Sequence, residues 1–427
     1  MFNTCDKSKC CGCQACVQAC PKHCINMVPD NEGFLYPNID HSSCINCKLC
    51  EKVCPFIRPY HTREPLNTYA AVNDNTSVRL ESSSGGVFSM LAEDVINRGG
   101  VVFGARFDDD WNVVIDFTET CAGLREFRGS KYVQASTSNS YTDCKSFLDQ
   151  GRQVLYSGTP CQIAGLKHFL REEYDNLMTV DFVCHGVPSP GVWSLYLRET
   201  IKATVKVVDG TSSVLFPLNF MSFIKDIKFR DKTDGWDKFR FALTFDEESA
   251  EVKKSSVLSS LNSLSQPAKQ NPYFNAFYHN LILRPSCYEC KSKGFSSGSD
   301  VTIADFWGAK VYVPDYYDNI GTSLVMVSTK KGLSLLDSCV HHKRVFDYET
   351  IKSFNYVIFE SVKPHKRRLI FFEKLNSTKS VTQLIDDTLK LSFLELFLQR
   401  IVWIYKLPVR VCNKFFKFLK LLLLVFV

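Results

Sequence analysis

Cys10, Cys13, Cys16 and Cys20 stand in the spacing C-x2-C-x2-C-x3-C and are followed by Pro21; Cys44, Cys47, Cys50 and Cys54 repeat the spacing, followed by Pro55. No other feature limits the fold of the N-terminal region so tightly. This is the bacterial ferredoxin pattern for two [4Fe–4S] clusters. The x2 steps let three thiolates of one tight loop reach three irons of one cube, and the x3 step with its proline carries the fourth to the other cube. The expected ligand sets are Cys10, Cys13, Cys16 and Cys54 for the first cluster, and Cys44, Cys47, Cys50 and Cys20 for the second. C-x2-C pairs also make zinc knuckles, but a doubled run with both prolines favours clusters. Such a chain moves single electrons.

Residues 1–60 suffice for that module, with Ile25 to Ile39 expected as short strands around a turn at Asn31-Glu32-Gly33. The rest of the 427 residues are enough for one large domain or two smaller ones, each with a core of its own. The nineteen cysteines do not read as a disulfide framework. The N-terminal spacing is a metal pattern, and Met1 to Lys9 lacks an apolar secretory stretch. Oxygen-sensitive clusters beside unpaired thiols point to a reducing cytoplasm. Cys5, Cys11, Cys24, Cys121, Cys144, Cys339 and Cys412 have no evident partner, and the default for each is a free, packed thiol. The net charge of +6 is modest, gathers in the C-terminal tail and accompanies no nucleic-acid motif, so nucleic acid is not an expected partner.

Past a short linker from Arg58 to Pro65, the pattern turns to alternating strands and helices. Val87 to Ile96 reads as a helix entered through Ser82-Ser83-Ser84-Gly85-Gly86. A buried strand follows Gly99-Gly100, Gln153 to Ser157 is a strand, Cys161 to Arg171 a helix, and Met178 to Val183 another strand. Strand, turn and helix in succession predict an α/β core with parallel elements. Glu247 to Gln270, rich in Ser and Lys, reads as a long mobile loop, either an ordinary surface insertion or a substrate lid.

A series of phrases runs through this region: Ser84-Gly85-Gly86, Ser130-Lys131-Tyr132-Val133-Gln134, Ser157-Gly158-Thr159-Pro160-Cys161-Gln162 and Asp181-Phe182-Val183-Cys184-His185-Gly186-Val187-Pro188. It continues through Phe229-Arg230-Asp231-Lys232, Gly235-Trp236, Arg284-Pro285-Ser286-Cys287-Tyr288-Glu289-Cys290 and Ala304-Asp305-Phe306-Trp307-Gly308. In order and density the set resembles the coenzyme F420 hydrogenase/dehydrogenase beta-subunit family over roughly residues 65–380, with Ala304 where the family writes Gly. The resemblance implies an α+β multidomain protein. A ferredoxin-like module (1–60) precedes a large mixed α/β flavoprotein domain in two parts (65–150 and 151–385), and an amphipathic helical tail (391–427) follows.

The resemblance further implies FAD and a third [4Fe–4S] cluster on Cys161, Cys184, Cys287 and Cys290. A structural zinc site would use the same four thiolates, and spacing does not separate the two. For the flavin it points to Ser84, Gly85 and Gly86, where glycines before a helix let backbone N–H groups approach a pyrophosphate; a plain Ser cap is the bland alternative. Lys131, Tyr132 and Gln134 would contact polar groups of the flavin. Arg230, Lys232 and Trp236 offer charge and a stacking face to an anionic cofactor or substrate, or else form a charged turn with a core Trp. His185 would serve as a proton donor, though a lone His is more often structural. The expected function is an oxidoreductase. A ferredoxin or a redox partner subunit exchanges electrons with the clusters, and the flavin exchanges a hydride with coenzyme F420 or another small-molecule substrate. Relatives of this kind include enzymes of tetrapyrrole reduction and proteins encoded with exopolysaccharide synthesis. A non-catalytic electron-transfer subunit is the alternative, and a redox sensor or scaffold stands behind both.

The tail from Leu391 to Val427 is apolar with spaced cations, and no uncharged run reaches the ~20 residues of a spanning helix. On a helical wheel Lys406, Arg410, Lys414, Lys417 and Lys420 share one side, apart from Phe415, Phe416, Phe418 and Leu419. That pattern suits a helix lying on the inner membrane surface, or one docked on protein. Truncation after Lys390 is expected to release the protein from anionic liposomes at low salt without emptying its clusters; misfolding or cofactor loss on truncation would instead make the tail part of the core.

Overall fold

The computed structural model describes residues 6–209, 221, 224–246 and 263–391. The expected tail helix and its expected membrane contact, Cys5, Cys412 and most of the Ser- and Lys-rich loop lie outside the described residues. In the N-terminal module β1 (Ile25–Pro29) pairs antiparallel with β2 (Leu35–Ile39), Ile25 opposite Ile39. The Asp30 carboxylate closes the hairpin by accepting from the backbone of Glu32 and Phe34, and Gly33 takes the left-handed conformation at φ +80°, which glycine adopts without penalty. The short helices Ala15–Gln18 and Leu49–Lys52 each carry one cysteine of a run.

The large domain is built on eight strands: β3 (Asn67–Ala71), β4 (Val101–Phe107), β5 (Val113–Thr118), β6 (Val154–Gly158), β7 (Leu177–Phe182), β11 (Val301–Asp305), β12 (Ser323–Val327) and β13 (Lys343–Val345). Their order is β13-β3-β12-β11-β7-β6-β4-β5, and strands from both sides of residue 150 share the sheet. Its centre, β4-β6-β7-β11, is parallel, and the flanks are antiparallel. Helices Val87–Asn97 and Lys330–Cys339 cover one face through Leu91, Val95 and Leu336 against Leu155, Val180 and Val325. Helices Ser140–Asp149 and Pro160–Leu170 cover the other through Tyr141, Ile163 and Leu166 against Val154, Tyr156 and Leu177. Cover on both faces is why the central strands read as continuous apolar runs.

A second sheet, β8 (Ile224–Asp231), β9 (Arg240–Phe245) and β10 (Ser263–Pro267), is antiparallel in the order β10-β9-β8. Residues 263–270 were expected within a loop. They form β10 and a 3-10 turn instead, because Leu264 packs on the aromatic core while its neighbours face outward. That core gathers Trp193, Phe229, Phe241 and Phe274, and it also takes in Phe34 and Tyr36 of the N-terminal hairpin. The expected linker is docked as well: Tyr60 stacks on His168 at 4.6 Å and Arg63 donates to the carbonyl of Ser299.

The two parts thus share one interior. Backbone meets backbone where a Cβ on Gly33 would lie 2.5 Å from Cα of Gly191. Beside it Arg368 grips Glu32 with both guanidinium nitrogens, at 2.8 and 2.5 Å, the two side chains 8% and 14% exposed. Removing one partner of such a pair leaves a buried charge uncompensated. Glu32→Ala is therefore expected to cost about 3 kcal/mol, read as a lower urea midpoint of the anaerobic protein; an unchanged midpoint would show that the pair does not hold the module in place. Among the described residues no helix is long and apolar enough to cross a membrane.

Candidate functional site

The chemistry-bearing loops leave the carboxyl ends of the parallel strands, where open α/β sheets bind their ligands. After β6, Thr159 caps the helix Pro160–Leu170 in a capping box with Gln162, and Pro160 suits the first turn because its missing N–H would be unpaired there. Cys161 is thereby fixed in that first turn. After the adjacent β7 come Val183, Cys184 and His185. A 3-10 helix, Pro285–Glu289, brings Cys287, whose sulfur accepts from the N–H of Val187 at 3.4 Å. Cys290 follows, its N–H bound to the hydroxyl of Ser361 at 3.0 Å.

Cys161, Cys184, Cys287 and Cys290 line one cavity of about 810 Å³, counting the solvent at its mouth. They are electrostatic neighbours: burial first, then the thiolates of Cys184, Cys290 and Cys161, push the Cys287 thiol well up. Burial likewise pushes Cys184 up to about 12. A metal centre held there would have to displace these thiol protons to solvent, and its positive charge would then offset the repulsion among the thiolates.

Two smaller cavities lie in the N-terminal module. Cys10, Cys13, Cys16 and Cys54 line one of about 320 Å³; Cys20, Cys44, Cys47 and Cys50 line the other, of about 350 Å³. In each, the fourth thiol comes from the other cysteine run. Cys13, Cys16 and Cys54 are buried and Cys10 half-buried, whereas Cys47 is exposed, Cys44 and Cys50 half-buried and Cys20 buried, so the ligands of the first, internal cavity lie deeper and those of the second nearer solvent. Among the described residues no three Cys, His, Asp or Glu side chains gather closely enough to hold a single metal ion. Each set of four thiols lines a space, a donor set that fits a four-iron cube and that tetrahedral zinc would also use.

Two cysteines without an evident partner in the sequence also lie at these cavities. Cys24 places its sulfur 3.4 Å from that of Cys20. Cys11 lines both the internal cavity and the large one, with its thiol next to those of Cys13 and Cys161. Cys144 is packed in the core, Cys121 is exposed, and Cys339 donates to the carbonyl of Leu335.

His185 is on the wall of the large cavity. Its Nε2 lies 2.6 Å from the amide oxygen of Asn280, which fixes the ring proton on Nε2, and burial lowers its pKa. Asp181 shares that wall and was not singled out by sequence. It accepts from the hydroxyls of Ser297 and Thr302, both at 2.5 Å, and burial pushes its pKa up to about 6.

The residues expected at a flavin divide into three places. Ser84, Gly85, Gly86, Arg230, Lys232 and Trp236 gather near the ends of β11 and β12. Much of their hydrogen bonding is already used there. The N–H of Gly85 donates to the hydroxyl of Ser323 at 3.0 Å, and a Cβ on Gly85 would come within 2.6 Å of the backbone of Ala71 and Ser323; close packing alone demands that glycine. Lys232 donates to the carbonyls of Arg79, Ser84 and Ile320. Burial, with Arg230 beside it, pulls its pKa down to about 7, while three carbonyl acceptors favour the charged ammonium. Trp236 is buried, donates to Asp305 and stacks on Trp307 at 4.8 Å.

Arg230 differs. Its side chain pairs with Asp305 at 2.5 Å and is 2% exposed, yet its Nε and Nη2 have no hydrogen-bond partner. It lies over the rings of Phe239 and Trp307 at 4.6 and 5.2 Å, and Trp307 is 52% exposed. Tyr132 joins this group through Arg230. Lys131 does not: its ammonium donates to the carbonyls of Glu126 and Arg128. Gln134 is elsewhere again, bridging the carbonyl of Cys11 and the guanidinium of Arg284.

Residues 151–352 match the model of a family described as the C terminus of the coenzyme F420 hydrogenase/dehydrogenase beta subunit. Residues 9–57 match a 4Fe-4S dicluster domain. Among solved structures, the chain is similar to one in the F420-reducing [NiFe] hydrogenase complex from Methanosarcina barkeri. That chain is 14% identical, the match covers 77% of this chain and 89% of that one, and the TM-score is 0.41. No curated protein matches the chain.

Proposed function

Because the chain belongs to the coenzyme F420 hydrogenase/dehydrogenase beta-subunit family and carries a 4Fe-4S dicluster domain, we propose that it is an iron–sulfur oxidoreductase. Its three cysteine-lined cavities would hold a relay of [4Fe–4S] clusters ending at FAD. One observation carries this reading: Cys11 stands on the wall of both the internal cavity and the large one, so an electron on a cluster in the internal cavity would have a short path through protein into the large domain. Cys20, Cys44, Cys47 and Cys50 would hold the entry cluster, Cys10, Cys13, Cys16 and Cys54 the middle one, and Cys161, Cys184, Cys287 and Cys290 the last. A one-electron carrier of the ferredoxin class or a partner subunit would dock where Cys47 is exposed.

When bound, a flavin supplies the exchange between single electrons and a hydride, and the substrate would be a small molecule such as coenzyme F420. The unpartnered nitrogens of Arg230 suit an anionic group, and the half-exposed ring of Trp307 offers an aromatic contact to a ring system. Asp305 would keep that guanidinium aimed. His185, with its proton on Nε2, and Asp181, poised near neutrality, are the groups able to hold or release a proton at the large cavity.

Anaerobically purified protein is expected to hold about twelve irons, from three four-iron clusters. Cys287→Ser should reduce this to about eight while sparing the N-terminal module. Eight irons with one zinc in the unaltered protein would replace the last cluster with a zinc site. Trp307→Ala is expected to weaken FAD binding roughly tenfold, the scale of one lost stacking contact, with iron content unchanged; unaltered flavin affinity would remove this face from the site. Turnover of a small molecule by the purified chain alone separates an enzyme from an electron-transfer subunit.

A further inference from the structure

Four arginines are buried in the described structure: Arg79, Arg230, Arg284 and Arg368. Three have a carboxylate, in Asp318, Asp305 and Glu32. Arg284, at 0% exposure the deepest, pairs with no carboxylate among the described residues. A guanidinium cannot shed its proton to escape burial, so its charge needs an anion from elsewhere.

Its surroundings say where. Nε donates to the carbonyl of Cys10 at 2.7 Å and Nη2 to that of Leu35 at 3.0 Å. Nη1 donates to the amide oxygen of Gln134 at 2.9 Å. The remaining contact of Nη2 is the sulfur of Cys10, at 3.5 Å. The ring of Tyr36 covers the guanidinium at 4.2 Å. On the ligand loop itself, a Cβ on Gly12 would lie 2.9 Å from Cζ of Arg284, so the cation's approach to the cysteines depends on a glycine there. None of these partners is on the wall lined by Cys20, Cys44, Cys47 and Cys50.

We propose that Arg284 is the built-in counter-ion of the cluster held by Cys10, Cys13, Cys16 and Cys54, and that it raises the reduction potential of that cluster above that of its solvent-facing neighbour. The inference rests on the proposed relay. Thiolate ligands make such a cluster an anion, and reduction adds a further negative charge. A fixed cation with an N–H directed at a ligand sulfur stabilises the reduced form more than the oxidised one, since net charge and hydrogen bonds to sulfur set these potentials. Arg284 is a positioning and tuning residue, not a ligand. It leaves the electron on the inner cluster rather than on the exposed one, where solvent and oxidants reach it.

The test is an EPR-monitored redox titration of the full-length anaerobic protein, with iron content measured alongside. Arg284→Gln is expected to lower the midpoint potential of the cluster on Cys10, Cys13, Cys16 and Cys54 most, with a smaller fall at the site of Cys161 and Cys287, which also feel the guanidinium, and to leave the solvent-facing cluster unmoved. Arg284→Lys, which keeps the charge, should restore most of the shift. Gln134→Glu sets a carboxylate against the guanidinium, at the loss of one hydrogen bond to Cys11, and should lower the same potential with Arg284 still present. It decides the matter if Arg284→Gln loses iron. Fully loaded variants whose potentials match the unaltered protein would overturn the proposal and leave the relay standing. Unaltered protein without iron at Cys10, Cys13, Cys16 and Cys54 would instead overturn the relay.

Discussion

The grip of Arg284 on the loop from Cys10 to Cys13 is the contact on which the rest of the arrangement depends. It ties residues 274 positions apart in the chain. It also leads directly into the segment that carries Cys287, whose N–H bonds to the Arg284 carbonyl. One side chain therefore links the loop of the internal cavity to the segment that carries Cys287 in the large one. Its N–H groups meet carbonyls and Gln134, and its face is covered by Tyr36 and Phe34. Four of its five N–H donors are directed at named acceptors, so the two loops are held in register rather than merely near each other.

Around that contact the N-terminal module and the large domain share apolar interior. Phe34 is buried in the same cluster as Trp193 and Phe229. Glu32 reaches Arg368, and Gln18 accepts from the backbone of Tyr141 and Thr142. A module tethered only by a linker would sample many distances from its partner. One packed against a common core does not, and electron transfer depends on a fixed separation. The sheet supplies the other half of the placement. β6 and β7 run side by side and parallel, so the residues that follow them, Cys161 and Cys184, emerge on one edge.

The region near Trp307 is organised by a different rule. Asp305, at the end of β11, accepts from both Arg230 and Trp236. Lys232 fastens three segments by their carbonyls. Most of the polar groups there serve the protein itself; among the described residues, Nε and Nη2 of Arg230 have no hydrogen-bond partner and the ring of Trp307 is half exposed. The family models matched over residues 151–352 and 9–57 support a redox function; that the acceptor meets this surface belongs to the proposal.

The cysteine runs were legible because ligand spacing is local: two or three intervening residues decide which thiols share a loop, whatever lies beyond. The parallel core was legible for a similar reason, since strands buried on both faces advertise it by unbroken apolar runs. The roles of single polar side chains were not. Lys232 and Gln134 looked like cofactor contacts, yet the fold gives their donors to distant carbonyls, and Gly85 meets the backbone of β3 and β12. Cys11 and Cys24 carried no signal, because only tertiary packing brings a spare thiol beside a ligand of another run. Arg284 sat in a familiar phrase as an ordinary arginine. What the sequence determined by itself was the kind of site, through residue type and short spacing. What tertiary structure decided was which charges are left without a partner, because pairing depends on neighbours hundreds of residues away.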